Sequence, residues 1–196
     1  MNRKVSTTEV FLDAERNNVR NQETNMGDLV IDAMRDVTGV QVALLCGGTL
    51  RASWQEGDII MRDIYKLIPF VDFTKTMMVP GSILFKEMEF SLALIGKSDG
   101  GYLQYSGMTV TYDPDAEPGN RVRSIQVDGE DVQMEKEYTL IVTDFMASGG
   151  DSNIYLKDYE THVQEAMQYI VEDYLKELGT ITESSIVGGR LVPVQI

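Results

Sequence analysis

The stretch that most limits what this chain can fold into is the nearly unbroken apolar run Val40-Gln41-Val42-Ala43-Leu44-Leu45-Cys46, stopped by Gly47-Gly48. Its length and its glycine stop read as a buried strand, which requires sheet neighbours and covering layers. Upstream, Thr24-Asn25 is followed by Met26, Leu29, Val30, Ala33, Met34 and Val37 at the spacing of one helical face, and Gly39 supplies a C-terminal stop. A short helix over residues 61–67 is broken by Pro69. Residues 74–79 read as a strand, Pro80-Gly81 as a turn, and residues 83–95 as a helix with Leu84, Met88 and Leu92 on one face.

The second half changes character. Residues 102–112 and 121–127 read as strands joined by the loop 113–120, and Asp128-Gly129 is a hairpin signal leading into Val132. Residues 138–143 make the clearest strand of this half. A long helix is expected over 160–178, where Val163, Met167, Ile170, Val171 and Tyr174 recur at helical intervals before Gly179. The tail 186–196 reads as a last strand, at a sheet edge because of Pro193. Helices and strands interleave without a strict βαβ repeat, so the expected fold is α+β: a mixed β-sheet sandwich with packed helices, one domain over 1–196.

Composition narrows the partners. The chain carries 31 acidic against 17 basic residues, which disfavours nucleic acid and anionic membranes as partners of the whole surface. No apolar stretch reaches membrane-spanning length and no charged-then-apolar leader opens the chain, so it is either cytoplasmic or a segment of a longer precursor. The single cysteine, Cys46, excludes internal disulfides and reads as a buried, inert thiol. With one histidine, His162, read as an exposed position in a helix start, no zinc or dinuclear transition-metal set can be assembled.

Three local motifs fail. Gly96-Lys97-Ser98 follows a helix where a phosphate-binding loop would open one, and reads as a surface turn. Asp113, Asp115 and Glu117 lack the glycine and closing acid of a calcium loop, and read as a solvated loop. Ser148 lacks the first glycine of a nucleophile elbow.

One constellation survives. Asp144-Phe145-Met146-Ala147-Ser148-Gly149-Gly150-Asp151 ends the strand 138–143, and Gly47-Gly48-Thr49-Leu50-Arg51 and Pro69-Phe70 lie upstream. An aromatic, small residues, a glycine pair and an acid make a poor core but a good binding loop. The set suits a nucleoside, because rings stack on a base while a carboxylate accepts from ribose hydroxyls.

These segments, in order with residues 15–28 and Gly57-Asp58-Ile59, closely resemble the C-terminal domain of the 5′-nucleotidase family, which includes UDP-sugar hydrolases and 2′,3′-cyclic-nucleotide phosphodiesterases. The resemblance runs from about Asp13 to Asp158. It implies a two-domain hydrolase: an N-terminal metallophosphatase half, absent from this chain, would hold two divalent metal ions. The C-terminal half would bind the nucleoside and present the phosphate after a domain rotation. No cofactor is then expected in this chain itself, and the N-terminal half would act in cis or in trans. The compartment implied is periplasmic, cell-surface or extracellular.

By the same resemblance, Phe70 and Phe145 match the aromatics that sandwich the base, with two core phenylalanines as the alternative. Asp151 matches the acid on the ribose, with a helix N-cap as the alternative. Arg16, Arg20 and Arg51 match substrate-facing arginines; surface ion pairing with Glu15, Glu23 or Asp28 is their competing reading. Gly100 matches a backbone contact near the base, or is a plain turn glycine. Asn25 matches a family position that capping the next helix also explains. The chain departs from the family where Pro-Phe-Gly-Asn becomes Pro69-Phe70-Val71-Asp72, replacing an amide by an acceptor-only carboxylate. Ser152-Asn153 replaces the usual Gly-Tyr after the acid, and Thr49-Leu50 the common Gly-Ile. The function expected is substrate recognition for a 5′-nucleotidase-type hydrolase, this chain being inactive alone. The alternatives are a free-standing, non-catalytic nucleotide-binding module and a relic whose site no longer binds.

Overall fold

The computed structural model describes residues 1–194. The chain opens with β1 (Lys4–Thr8), one turn of helix α1 (Arg16–Val19), the long α2 (Asn25–Thr38), β2 (Val42–Cys46) and β3 (Gly57–Ile60). Then come α3 (Met61–Leu67), β4 (Phe73–Pro80) and α4 (Gly81–Leu92). The strand-rich second half holds β5 (Leu103–Ser106), β6 (Met108–Tyr112), β7 (Val122–Val127), β8 (Glu130–Asp131) and β9 (Glu137–Thr143). It closes with the short α5 (Asp144–Ala147), β10 (Thr161–Ala166), α6 (Met167–Leu178), β11 (Thr180–Ile181) and β12 (Leu191–Pro193).

A five-stranded sheet, ordered β10-β4-β9-β2-β5, forms the centre. All five residues of β2 are buried, and they alternate between two cores. Ala43 and Leu45 join the cluster built from α2, α3 and α6, with Met34, Ile64 and Ile170. Val42, Leu44 and Cys46 join the opposite cluster with Leu84 and Met88 of α4 and Val110 and Ile125 of β6 and β7. Period-two alternation thus buries both faces of one apolar run. Smaller sheets, β11-β1-β3 and β12-β6-β7-β8, flank the centre. The architecture is the mixed α+β arrangement expected.

Local chemistry explains the elements that match. Thr24 caps α2 by accepting from the Gly27 amide at 3.1 Å, and Gly39 ends it in the left-handed region at φ +67°. Asp128 and Gly129, at φ +53° and +79°, turn β7 into β8.

Several expectations are corrected. Pro80 and Gly81 are no turn: Pro80 ends β4 and Gly81 opens α4 directly. The expected strand 102–112 is two strands in different sheets, because Gly107 at φ +83° redirects the chain between β5 and β6. The expected helix 160–178 is helical only from Met167. Its first part is β10, held as an edge strand by antiparallel pairing with β4, so His162 is exposed on a strand and not on a helix. Asn25 is not the cap of α2. Its side chain accepts from the Asp13 amide at 2.7 Å and donates to the Phe11 carbonyl at 2.8 Å, tying down the approach to α1. Of the tail, Leu191–Pro193 forms an edge strand parallel to β6, and residues 195–196 lie outside the described part.

Pairing directions decide where loops meet. β2 and β9 run parallel, so both end at the same rim of the central sheet. β4 pairs antiparallel to β9 with Thr74 opposite Thr143, which brings the segment before β4 to that rim. β5 pairs antiparallel to β2 with Leu103 opposite Cys46, which brings residues 99–101 there too. Loops 47–51, 69–72, 99–101 and 144–153 converge at one place, as ligand loops do at carboxyl strand ends.

Candidate functional site

Where those loops meet lies a cleft of about 230 Å³ lined by Gly48, Thr49, Arg51, Phe70, Asp72, Phe145 and Asp151. Phe70 and Phe145 keep 40% and 44% of their surface exposed and belong to neither core cluster. That answers the alternative of two core phenylalanines. Phe70 follows the end of α3, and the Gln168 side chain holds its carbonyl at 2.5 Å. Phe145 stands on α5, a single turn whose start is capped by Thr143 Oγ1 accepting from the Met146 amide. Ser148 donates to the Phe145 carbonyl at 2.8 Å and so serves the loop's own backbone.

The loop after Phe145 is tightly wound. Gly149 has φ +93°, and Asp151 and Ser152 are non-glycine residues at φ +47° and +66°. Asn153 anchors this bend: its side chain is fully buried and donates to the Gly150 carbonyl at 2.7 Å and to Cys46 Sγ at 3.3 Å. Asp151 caps no helix by its side chain and is exposed at the cleft wall. Asn153 stands in the sequence only as a departure after the acid and not as an anchor, although an Asn two residues beyond a Gly-Gly-Asp turn is a usable sign of side-chain-to-backbone anchoring. Burial holds the Cys46 thiol well above its usual value, as an inert thiol requires.

Arg51 bridges two hollows. Its guanidinium carbon lies 5.1 Å from the Phe70 ring centroid, a cation–π contact worth about 0.5–1 kcal/mol at an exposed site. It also borders an adjoining hollow of about 270 Å³, whose lining includes Arg16, Arg20 and Ser53. Arg16 opens α1 and Arg20 follows its end, with the Arg20 side chain buried and the Arg16 side chain exposed. Burial first, then the Arg16 and Arg51 charges, push Arg20 below its ordinary value, while Asp151 and Asp99 oppose the shift. Among the described residues none of the three arginines forms an ion pair with a carboxylate. Two of the three acids considered as partners are engaged elsewhere: Glu23 accepts from the Arg190 amide and Asp28 faces the Arg190 guanidinium at 3.3 Å.

Gly100 lies between the two hollows. A Cβ placed on it would stand 3.3 Å from Asp151 Oδ2 and 3.8 Å from Arg20 Nη1. Gly48 donates to the Gly100 carbonyl at 2.9 Å, so two glycine backbones pack against each other under the cleft. The structure therefore gathers Arg51, Phe70, Phe145 and Asp151 on one cleft, with Gly100 beside Asp151 and Arg16 and Arg20 in the hollow next to it. Asp72, Gly48 and Thr49 complete the lining. Desolvation, with the neighbouring Asp144 charge, raises the Asp72 carboxyl above its ordinary value. Among the described residues no group of three or more His, Cys, Asp or Glu side chains is placed to hold a metal ion.

Comparison with known proteins identifies the arrangement. The family model described as 5′-nucleotidase, C-terminal domain, matches residues 4–158, beginning nearer the N-terminus than residue 13. The chain belongs to that family. The 5′-nucleotidase C-terminal fold is matched in the crystal structure of a 5′-nucleotidase precursor from Thermus thermophilus, at a TM-score of 0.89 and 28% identity, over 99% of this chain and 40% of that one. The trifunctional nucleotide phosphoesterase protein YfkN of Bacillus subtilis is 26% identical over 95% of this chain. A snake venom 5′-nucleotidase from Naja atra is 29% identical over 96% of it. This chain spans only 14% and 40% of the length of those two relatives.

Proposed function

We propose that this 5′-nucleotidase C-terminal domain is the substrate-recognition part of a phosphoric-ester hydrolase, binding the nucleoside and orienting its phosphate. The observation that carries this reading is that two half-exposed phenylalanines, on separate loops, line one cleft together with Asp151 and Arg51. A flat heterocycle stacks on such rings; a vicinal diol donates to a carboxylate at the wall; a phosphate meets the guanidinium hollow beyond. Among the described residues those guanidiniums form no ion pair with a carboxylate, in a chain of net charge −14, so they form a local reversal of the surface potential. The chain's own contribution to catalysis is positioning.

The divalent metal centre implied by the family does not fit the residues described here. We assign it to a metallophosphatase domain outside this segment, in line with the larger size of the relatives. The compartment proposed is outside the cytoplasm, as the venom relative's name suggests for that protein. Among the described residues no helix is long and apolar enough to cross a membrane.

Calorimetric titration tests the reading. A purine or pyrimidine nucleoside 5′-monophosphate binds the 196-residue chain, and Phe145→Ala weakens it by about 1–3 kcal/mol, the worth of one stacked ring. An unchanged affinity in that variant removes the clamp.

A further inference from the structure

Resting on the nucleoside-binding reading, we infer that Asp72 reads the hydrogen-bonding edge of the base and makes this cleft selective for guanine. Asp72 lines the same cleft as Phe70 and Phe145, two residues past the first ring. Its backbone is fixed, because its carbonyl accepts from the Met167 amide at 3.1 Å where α6 begins. Its carboxyl is uncommitted: among the described residues it takes part in no ion pair and accepts no hydrogen bond. Arg51, which lines the same cleft, stacks over Phe70 and also borders the arginine hollow. A fixed, partly desolvated carboxyl with open lone pairs beside a ring-binding slot is a reading head for the base's rim.

Base chemistry then selects. An ionised carboxylate only accepts, through two oxygens side by side. Among the common bases, guanine alone offers two adjacent donors on one edge, N1–H and the exocyclic N2–H, which match those oxygens in a bidentate pair. Hypoxanthine keeps N1–H but has lost the second donor. Adenine turns an acceptor, N1, toward the carboxylate. Uracil presents one N–H flanked by carbonyl oxygens, and cytosine one amine beside an acceptor nitrogen. An asparagine at the same place would offer a donor and an acceptor together, which suits adenine. The order expected is guanosine, then inosine, then adenosine, with the step set by hydrogen bonds to a charged group rather than by stacking, which every base provides.

The experiment is calorimetry with guanosine, inosine, adenosine and uridine against the chain, repeated on Asp72→Asn and on Phe145→Ala. Guanosine is expected to bind at least about tenfold more tightly than adenosine, with inosine between them. Asp72→Asn should lower guanosine affinity and raise adenosine affinity, collapsing or reversing that ratio, with circular dichroism verifying that the variant is folded. Phe145→Ala should weaken all four nucleosides alike and leave their order intact. Equal affinities for guanosine and adenosine in the unaltered chain overturn the inference alone and leave the clamp standing. A guanosine-to-adenosine ratio untouched by Asp72→Asn does the same. No binding of any nucleoside overturns both the inference and the reading beneath it.

Discussion

Glu87, on α4, has no exposed surface, and neither carboxyl oxygen finds a hydrogen-bond partner among the described residues. A buried carboxylate left so would cost several kcal/mol, and the group responds by holding its proton. Burial alone raises it to about 7 from an ordinary 4.5. Because the folded-state value is the higher one, the native state binds more protons than the unfolded chain between those limits. Stability from this group is therefore complete below pH 4.5, declines as the pH climbs, and levels off above 7. A displacement of that size amounts to about 3 kcal/mol. Glu87→Gln removes the titration, so its unfolding free energy, relative to the unaltered chain, should shift in the variant's favour by about 3 kcal/mol between pH 4 and pH 8. Urea unfolding at the two pH values measures the shift. A difference that stays constant with pH shows that Glu87 is ionised in the folded protein. The position matters for the cleft, because Glu87 lies close enough to Cys46 to raise that thiol, and Cys46 accepts from the Asn153 amide that anchors the Asp151 bend.

Elements meet at the cleft through glycine backbones, and that is where an added methyl group is felt. A Cβ on Gly48 would sit 2.9 Å from the Gly100 Cα, a backbone atom that cannot step aside as a side chain would. Gly48→Ala should cost about 1–3 kcal/mol in thermal or urea unfolding and separate loop 47–51 from loop 99–101, weakening nucleotide binding as well. Full retention of both properties would mean that the two loops are not packed as described. The sequence shows why Gly48 follows a strand, but not what presses on it, since Gly100 is brought there only by β5 pairing with β2. The same division runs through the whole fold. Elements whose signals are local were legible: β2 from its apolar run, α2 from its stripe and Thr24 cap, α3 from its spacing before Pro69. Elements decided by distant partners were not. Val163 is in step with the apolar face of α6, yet residues 161–166 extend because β4 offers an edge. β1 carries no apolar pattern of its own and is held between β3 and β11. In the cleft, resemblance picked out the rings, the acid and the arginines and marked Asp72 and Asn153 as departures, whereas the bend that Asn153 anchors and the cavity that Asp72 lines exist only in the folded chain.

At the scale of the whole molecule, the proposed reading separates recognition from reaction. The described cleft and its neighbouring hollow hold rings suited to stacking, carboxyls suited to accepting and guanidiniums suited to anion pairing. The one histidine, His162, lines a different hollow, with Thr76 and Glu137. Ser148, the one serine in the Phe145–Asp151 loop, has its hydroxyl committed to the Phe145 carbonyl. Neither His162 nor Ser148 is thus part of a nucleophile–base pair beside the arginine hollow, and general acid–base catalysis needs such a pair within hydrogen-bond reach. The chain also spans 40% of the Thermus thermophilus structure it superposes on, leaving most of that protein without a counterpart here. The expected outcome follows: the 196-residue chain binds nucleoside monophosphates but releases no phosphate from them, with manganese or zinc added. Phosphate release, measured on protein that also shows nucleoside binding by calorimetry, is the decisive readout. Turnover that copurifies with the chain, survives metal titration and disappears in Phe70→Ala would place the chemistry inside this cleft. Binding without turnover, converted to turnover when a metallophosphatase domain is joined to the chain, would instead assign the two jobs to two bodies.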